Sequence, residues 1–295
     1  MMKVLLFISL IFFLIGCSSA PEKELQYKEN DYFLRICEVK GRQGVSTDGD
    51  NIYISGTKEL YKYDMKGKLL VENLSPFKNI NLEVNHLGDI DLHKEEIYTC
   101  IERFTEGRGD NFVIGIYNKN DLSLVRTIIP GKNSPQKEIS GIAVDPERKL
   151  IWMTDWTDGK SIYYYDIATG DYIGRIILKN ELFYLQGIVV HENYLLLTAD
   201  DGDAENEVSD NLYAIKINMF ADVISTPIHL KEFEDVKREG EIEGITINRK
   251  NGELIVLFNR GAKIIKGIPK GFYLGYDKEI HEIYFYKNIG QLPED

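Results

Sequence analysis

Gln186-Gly187-Ile188-Val189-Val190, a turn, and Tyr194-Leu195-Leu196-Leu197 form a unit whose reading decides the fold. The same pattern occurs as Gln43-Gly44-Val45-Ser46-Thr47 before Asn51-Ile52-Tyr53-Ile54, and as Gly88-Asp89-Ile90-Asp91-Leu92 before Glu96-Ile97-Tyr98-Thr99. It returns as Ser140-Gly141-Ile142-Ala143-Val144 before Leu150-Ile151-Trp152-Met153-Thr154, and as Glu243-Gly244-Ile245-Thr246-Ile247 before Leu254-Ile255-Val256-Leu257. Counted from the second residue of each copy, the starts at 44, 89, 141, 187 and 244 are roughly 45 to 57 residues apart, the period of a four-stranded propeller blade. The pattern predicts an all-β chain folded as a β-propeller.

Working outward, four of the copies continue into a tyrosine-bearing third segment, such as Ile162-Tyr163-Tyr164-Tyr165, and a β-rich fourth, such as Tyr172-Ile173-Gly174-Arg175-Ile176-Ile177. The fifth reaches Glu282-Ile283-Tyr284-Phe285-Tyr286 and lacks a fourth. An open edge there is a liability, and the alternating Phe33-Leu34-Arg35-Ile36-Cys37-Glu38-Val39, which has no blade of its own, supplies the missing strand. Five four-stranded blades closed by the N-terminal strand are expected, with a sixth blade inside 258–281 as the alternative. Glycine at 44, 141, 187 and 244 suits innermost strands converging on an axis, where side-chain volume is limiting; Asp89 breaks the rule in blade two.

Ahead of the repeats, Met1-Met2-Lys3 and an apolar run over 4–15 read as an export signal too short for a permanent span. It ends in Leu14-Ile15-Gly16-Cys17, which resembles the bacterial lipobox. The expected organisation is a signal peptide over 1–16, a polar tether over 17–31 lipidated on Cys17, and a propeller domain over 32–295. Acyl chains on one residue hold a domain at a membrane without a spanning segment, so the chain is expected at the extracytoplasmic side of the bacterial envelope. Its net charge of −12 disfavours nucleic acid as a partner. Cys37 and Cys100 fall in blades that do not touch, which predicts two free thiols.

In a propeller, loops entering the first strands and loops leaving the second strands open on one face. Gln43, Gly88 with Asp89, Ser140, Gln186 and Glu243 enter, and Ser55, Glu102, Asp155, Asp200 and Asn259 leave. A ring of carboxylates and amides is therefore expected around the axial mouth. Crowded carboxylates repel, and a cation relieves them. Asp89, Asp155, Asp200 and Glu243, with Glu102 beside them, are candidates for a calcium-like site; the alternative is that they bond strand-end amides and water.

The ligand-binding set drawn from this face is His86, Asp89, Glu102, Asp155, Trp156, Gln186, Glu243 and Asn259. His86 could bind a ligand, carry a proton or brace a loop. Trp156 is expected to be exposed and, with Phe104 and Tyr184, to offer flat apolar faces, whereas Phe258 is read as core. The acidic loop over 200–207 lacks EF-hand spacing and reads as solvated. Arg108-Gly109-Asp110 is placed on an exposed loop.

Asp145-Pro146-Glu147-Arg148-Lys149-Leu150-Ile151-Trp152-Met153-Thr154-Asp155-Trp156, with the repeated residue-Gly-Ile openings, resembles the NHL, YWTD and SMP-30-like propellers, a class that includes calcium-dependent lactonases and many binding proteins. In the SMP-30-like enzymes the residue before the glycine is a metal ligand. Glu243 matches that position, while Ser140 and Gln186 stand where the resemblance calls for Asn. There is no Gly-x-Ser-x-Gly elbow, His-Glu-x-x-His, Cys-x-x-Cys, phosphate loop or dinucleotide fingerprint. Two functions stay open: a lipoprotein binding a small molecule, glycan or protein at an acidic mouth, with or without a divalent cation, and a divalent-metal-dependent hydrolase or lactonase. The sequence does not decide whether the chain is an enzyme.

Overall fold

The computed structural model describes residues 33–292, apart from 220–221, 235, 237–238, 266 and 288–291. The signal, the tether and Cys17 lie outside the described residues. Twenty of the described strands form five antiparallel four-stranded blades around one axis. The innermost strands are Gly44–Thr47, His86–His93, Ile142–Asp145, Leu185–His191 and Ile242–Ile247. The fifth blade takes its outer strand from the N-terminal segment Phe33–Val39, which pairs antiparallel with Ile280–Tyr286, Ile36 opposite Tyr284 and Cys37 opposite Ile283. Five blades and closure by the N-terminal strand are borne out. The 258–281 stretch holds a two-stranded hairpin, Ala262–Ile265 with Ile268–Phe272, instead of a sixth blade.

Period-two alternation explains why the blades stack. Ile151 and Met153 project into a buried cluster shared with blade two, while Trp152 between them enters a cluster shared with blade four. Five such apolar clusters occur, one per junction between neighbouring blades. Each blade is therefore apolar on both faces, which is why its strands read as continuous Ile, Leu, Val and Tyr runs. The thiols of Cys37 and Cys100 are free.

The axis is tighter than the glycine pattern alone implies. A Cβ on Gly244 would lie 2.6 Å from Gly44 Cα, and one on Gly187 would lie 2.7 Å from Ile245 N. Asp89 fills the space that these glycines leave. Its Oδ2 accepts from Ile188 N–H at 3.1 Å, and its own N–H donates to Ser140 O at 2.9 Å. Two residues on, and so on the same side of the strand, Asp91 accepts from Val144 N–H at 2.8 Å and from the Ser46 hydroxyl at 3.2 Å. Two carboxyls thus tie four innermost strands together across the channel.

Candidate ligand-binding site at the axial mouth

The innermost strands run away from the mouth and the second strands return to it, so residues at these ends share one face. There the structure holds a cavity of about 290 Å³. Its polar wall includes Arg42, His86, Glu102, Gln186, Glu241 and Glu243. Phe104, Trp156, Ile264 and Pro269 supply an apolar wall. The hairpin over 262–272 reaches over this opening, and its tip at Gly267, with φ of 69°, passes so close to Phe104 that a Cβ would lie 2.9 Å from the ring. A second cavity of about 310 Å³ adjoins it, sharing Trp156, Glu241 and Ile264 and lined also by Asp200, Asp210 and Tyr273.

Of the residues expected at the mouth, His86, Glu102, Trp156, Gln186 and Glu243 line the first cavity and Asp200 the second. Asp89 is close to Glu243, as axial convergence requires: its Oδ1 would lie 2.7 Å from a Cβ on Gly244. It lies beneath the opening, 1% exposed, as the plug of the channel. Asp155 and Asn259 are buried behind the cavity walls. Asn259 donates to Glu243 Oε1 at 2.6 Å and to Arg42 O at 3.0 Å, which orients the glutamate.

Trp156 is half-buried rather than exposed, because it sits between Tyr184, with ring centroids 5.0 Å apart, and Phe104 at 6.1 Å. Phe104 in turn stacks on His86 at 5.2 Å, so four rings from three blades make a continuous aromatic wall. Phe258 is core, 3% exposed. Arg108-Gly109-Asp110 opens a strand instead of forming a loop tip, and Arg103 clasps the Asp110 carboxylate with two bonds of 2.6 and 2.8 Å.

Arg42 and Glu241 are the members that sequence reasoning missed. The Arg42 guanidinium donates to Glu241 Oε2 at 2.8 Å and to Glu279 Oε1 at 2.9 Å, and stands 3.7 Å from Glu243 Oε1. Of the carboxylates expected to share a cation, Glu243 therefore stands beside this guanidinium. A basic residue next to a mouth position, in a chain this acidic, was the available signal.

Burial then sets the protonation of the mouth. It pushes Glu102 up to about 8, with Glu138 and Asp110 adding to the shift, and Asp155 up to about 8, with Glu138 and Asp158 adding. Burial also raises Glu243 and Asp89 well above the usual carboxyl range. His86, desolvated and facing the Arg42 charge, is driven down to about 3 and is neutral. Its Nδ1 lies 3.6 Å from Glu102 Oε1 and has no hydrogen-bond partner. Glu243 Oε2, Trp156 Nε1, Asp155 Oδ1 and Asn259 Oδ1 are likewise buried and unpartnered.

These shifts have a measurable consequence. Glu102 and Asp155 keep their protons in the folded chain up to about pH 8, but in the unfolded chain only to about pH 4. Stability linked to them is full below about pH 4 and is lost as pH rises toward 8. Buried neutral histidine acts in the opposite sense, but only below about pH 6.5. Melting temperature is therefore expected to fall between pH 6.5 and pH 8, and E102Q and D155N should each flatten that fall. A wild-type melting curve constant or rising over this window would contradict the assigned protonation.

No protein-family model matches the sequence, and no curated protein is similar enough to count as a match. Among solved structures the chain resembles the glutaminyl cyclase of Myxococcus xanthus at 10% identity and a TM-score of 0.56, over 86% of this chain and 95% of that one. U3-55K (TM-score 0.42, 9% identity, 82% of this chain and 67% of that one) and the computationally designed Ika8 protein (TM-score 0.37, 9% identity, 83% and 70%) are more distant in shape. At these identities the first likeness establishes the propeller fold alone, and the other two carry no argument.

Proposed function

We propose that the chain is a lipid-anchored envelope protein that binds a small molecule, or a terminal group of a glycan or protein, in the axial cavity. The observation that carries this is the set of unpartnered polar atoms there, above all Oε2 of Glu243, a residue 1% exposed. A buried polar group without a partner costs about 1–3 kcal/mol, and a ligand that completes it recovers that cost. The neighbouring aromatic wall offers the apolar surface that small-molecule sites combine with a few placed polar groups.

Phe33 pairs with Tyr286, which pairs with Leu254, and all three lie at the end of blade five remote from Asn259 and Arg260. The lipobox-like Leu14-Ile15-Gly16-Cys17 supports the membrane assignment.

The metal-dependent hydrolase reading fits the residues less well. Among the described residues no three His, Cys, Asp or Glu side chains group so as to hold a metal ion. Arg42 already compensates Glu241 and Glu243, so we draw no calcium-dependent step. A metal-free enzyme is favoured by one observation: Glu102, at about 8, stands beside a neutral histidine in a cavity, and a carboxyl titrating near neutrality is suited to proton transfer.

The test is a thermal-shift screen of monosaccharides, amino acids, short peptides and divalent cations, repeated on W156A. A ligand that binds only the folded chain raises its melting temperature. The expected result is a shift from an organic compound that W156A abolishes; shifts that W156A leaves intact would move the site elsewhere.

A further inference from the structure

The axial cavity selects its ligand by charge as well as by shape. Glu102, Glu241 and Glu243 line it and Asp89 lies beneath, against the single guanidinium of Arg42, which also serves Glu279. An anion entering this space meets a guanidinium already bonded to Glu241 and Glu279. A bare metal ion meets no three-ligand group among the described residues, and one wall around it is ring face and aliphatic carbon. What remains is an organic cation: one positive nitrogen to pair with a carboxyl, carried on an apolar body that can lie along Phe104, Trp156 and Ile264.

We infer that the axial cavity binds a primary ammonium group, with its nitrogen at the unpartnered Oε2 of Glu243 and its flat or aliphatic body against the Phe104–Trp156 wall. This rests on the reading of the mouth as a ligand site and adds the class of ligand. Ammonium groups are attracted to aromatic faces, and charge-assisted bonds to carboxylate are about twice as strong as neutral ones.

The protonation of the site supplies a signature. Without a ligand Glu243 holds its proton more tightly than a free glutamate, because burial outweighs the attraction of Arg42, and Glu241, Glu279 and Asp89 all disfavour its charge. Glu102, facing His86, Glu138 and Asp110, is protonated below about pH 8. An arriving ammonium favours the ionised carboxylate. The Glu243 proton then leaves to solvent while the ligand keeps its own three, so binding is expected to release protons, up to about one, at pH 7.

The probes are phenethylamine and its neutral isostere 2-phenylethanol, titrated calorimetrically into the wild-type domain in two buffers of different ionisation enthalpy. The expected result is binding of the amine at least about tenfold tighter than the alcohol, release of up to about one proton, and at least about tenfold weakening by E243Q. E102Q serves as a second variant should E243Q fail to fold, and is expected to leave the released proton count unchanged; a count that falls in E102Q would overturn the assignment of the nitrogen to Glu243.

A pentapeptide with a free N-terminus, compared with its N-acetylated form, separates the sources of the ammonium. A free peptide binding better than phenethylamine assigns chain termini, the reverse assigns small amines, and acetylation should abolish peptide binding. Equal binding of amine and alcohol, both lost in W156A, would overturn the ammonium and leave the mouth as the site. No response to any of these probes at about 10 mM, with uncharged sugars still shifting the melt through Trp156, would overturn it in the same way. Binding of the amine untouched by E243Q, E102Q and W156A would overturn both.

Discussion

Replacing Arg42 with methionine is expected to cost about 3–5 kcal/mol of stability at pH 8, the scale measured when one partner of a buried ion pair is removed. For a domain of this size that lowers the melting temperature by about 10 °C. The guanidinium holds Glu241 and Glu279 directly and stands 3.7 Å from Glu243. Methionine keeps much of the length of the side chain, so packing changes little and charge is what is lost. The effect should depend on pH in a defined sense. Glu241 and Glu243 are raised by burial and lowered by Arg42, so without the arginine their folded-state values rise further. Groups raised in this way contribute full stability below their unfolded values and lose it as pH climbs. At pH 5 both hold their protons to a greater extent than at pH 8 and have less need of a cation, and the deficit of R42M should shrink below its value at pH 8. Glu279, which His281 also supports, keeps the deficit from vanishing. Thermal melts of both proteins at the two pH values decide the matter, and an equal loss at both would show that Arg42 acts by packing alone.

The sequence carried the fold because every blade repeats the same physical problem. Each needs a thin residue near the axis and an apolar run buried on both faces, and these demands recur within stretches such as 186–197 and 243–257. Closure was legible too, since Phe33–Val39 alternates and Ile280–Tyr286 otherwise lacks an outer neighbour. The mouth was legible as a list of strand ends but not as a set of contacts. Arg42 meets Glu241 across 199 positions and Glu279 across 237, and nothing local to Gly41-Arg42-Gln43 announces either partner. Trp156 looked exposed because it follows a strand, yet Phe104 and Tyr184, from the blades on either side, enclose it. The roofing hairpin lies in 262–272, where Gly and Pro interrupt both the period of a strand and that of a helix. Asp89 could be seen to break the glycine rule, but its position on the axis follows only once the five strands are brought together.

That position leads to the second large effect. Gly244→Val is expected to destabilise the domain by more than about 3 kcal/mol, beyond the usual 1–3 kcal/mol of overpacking, and to lower its melting temperature by about 10 °C or leave no folded protein. The β-carbon alone would lie 2.6 Å from Gly44 Cα, 2.6 Å from Val45 N and 2.7 Å from Asp89 Oδ1. Two of these three atoms are backbone of another innermost strand, which can retreat only by opening the ring against all five inter-blade clusters. A flexible side chain could rotate away, but here there is none to do so except Asp89, and its carboxyl is held by the N–H of Ile188. Two comparisons separate axial crowding from a general intolerance of glycine replacement. Gly252→Ala, at φ of 77° with nothing near its added carbon, should cost only the backbone strain of about 1 kcal/mol. Adding Asp89→Gly to Gly244→Val should not restore stability, because the two backbone clashes persist while a bond between blades is lost. Full rescue by that second substitution would mean that the carboxyl, and not the convergence of the strands, limits the space at the axis.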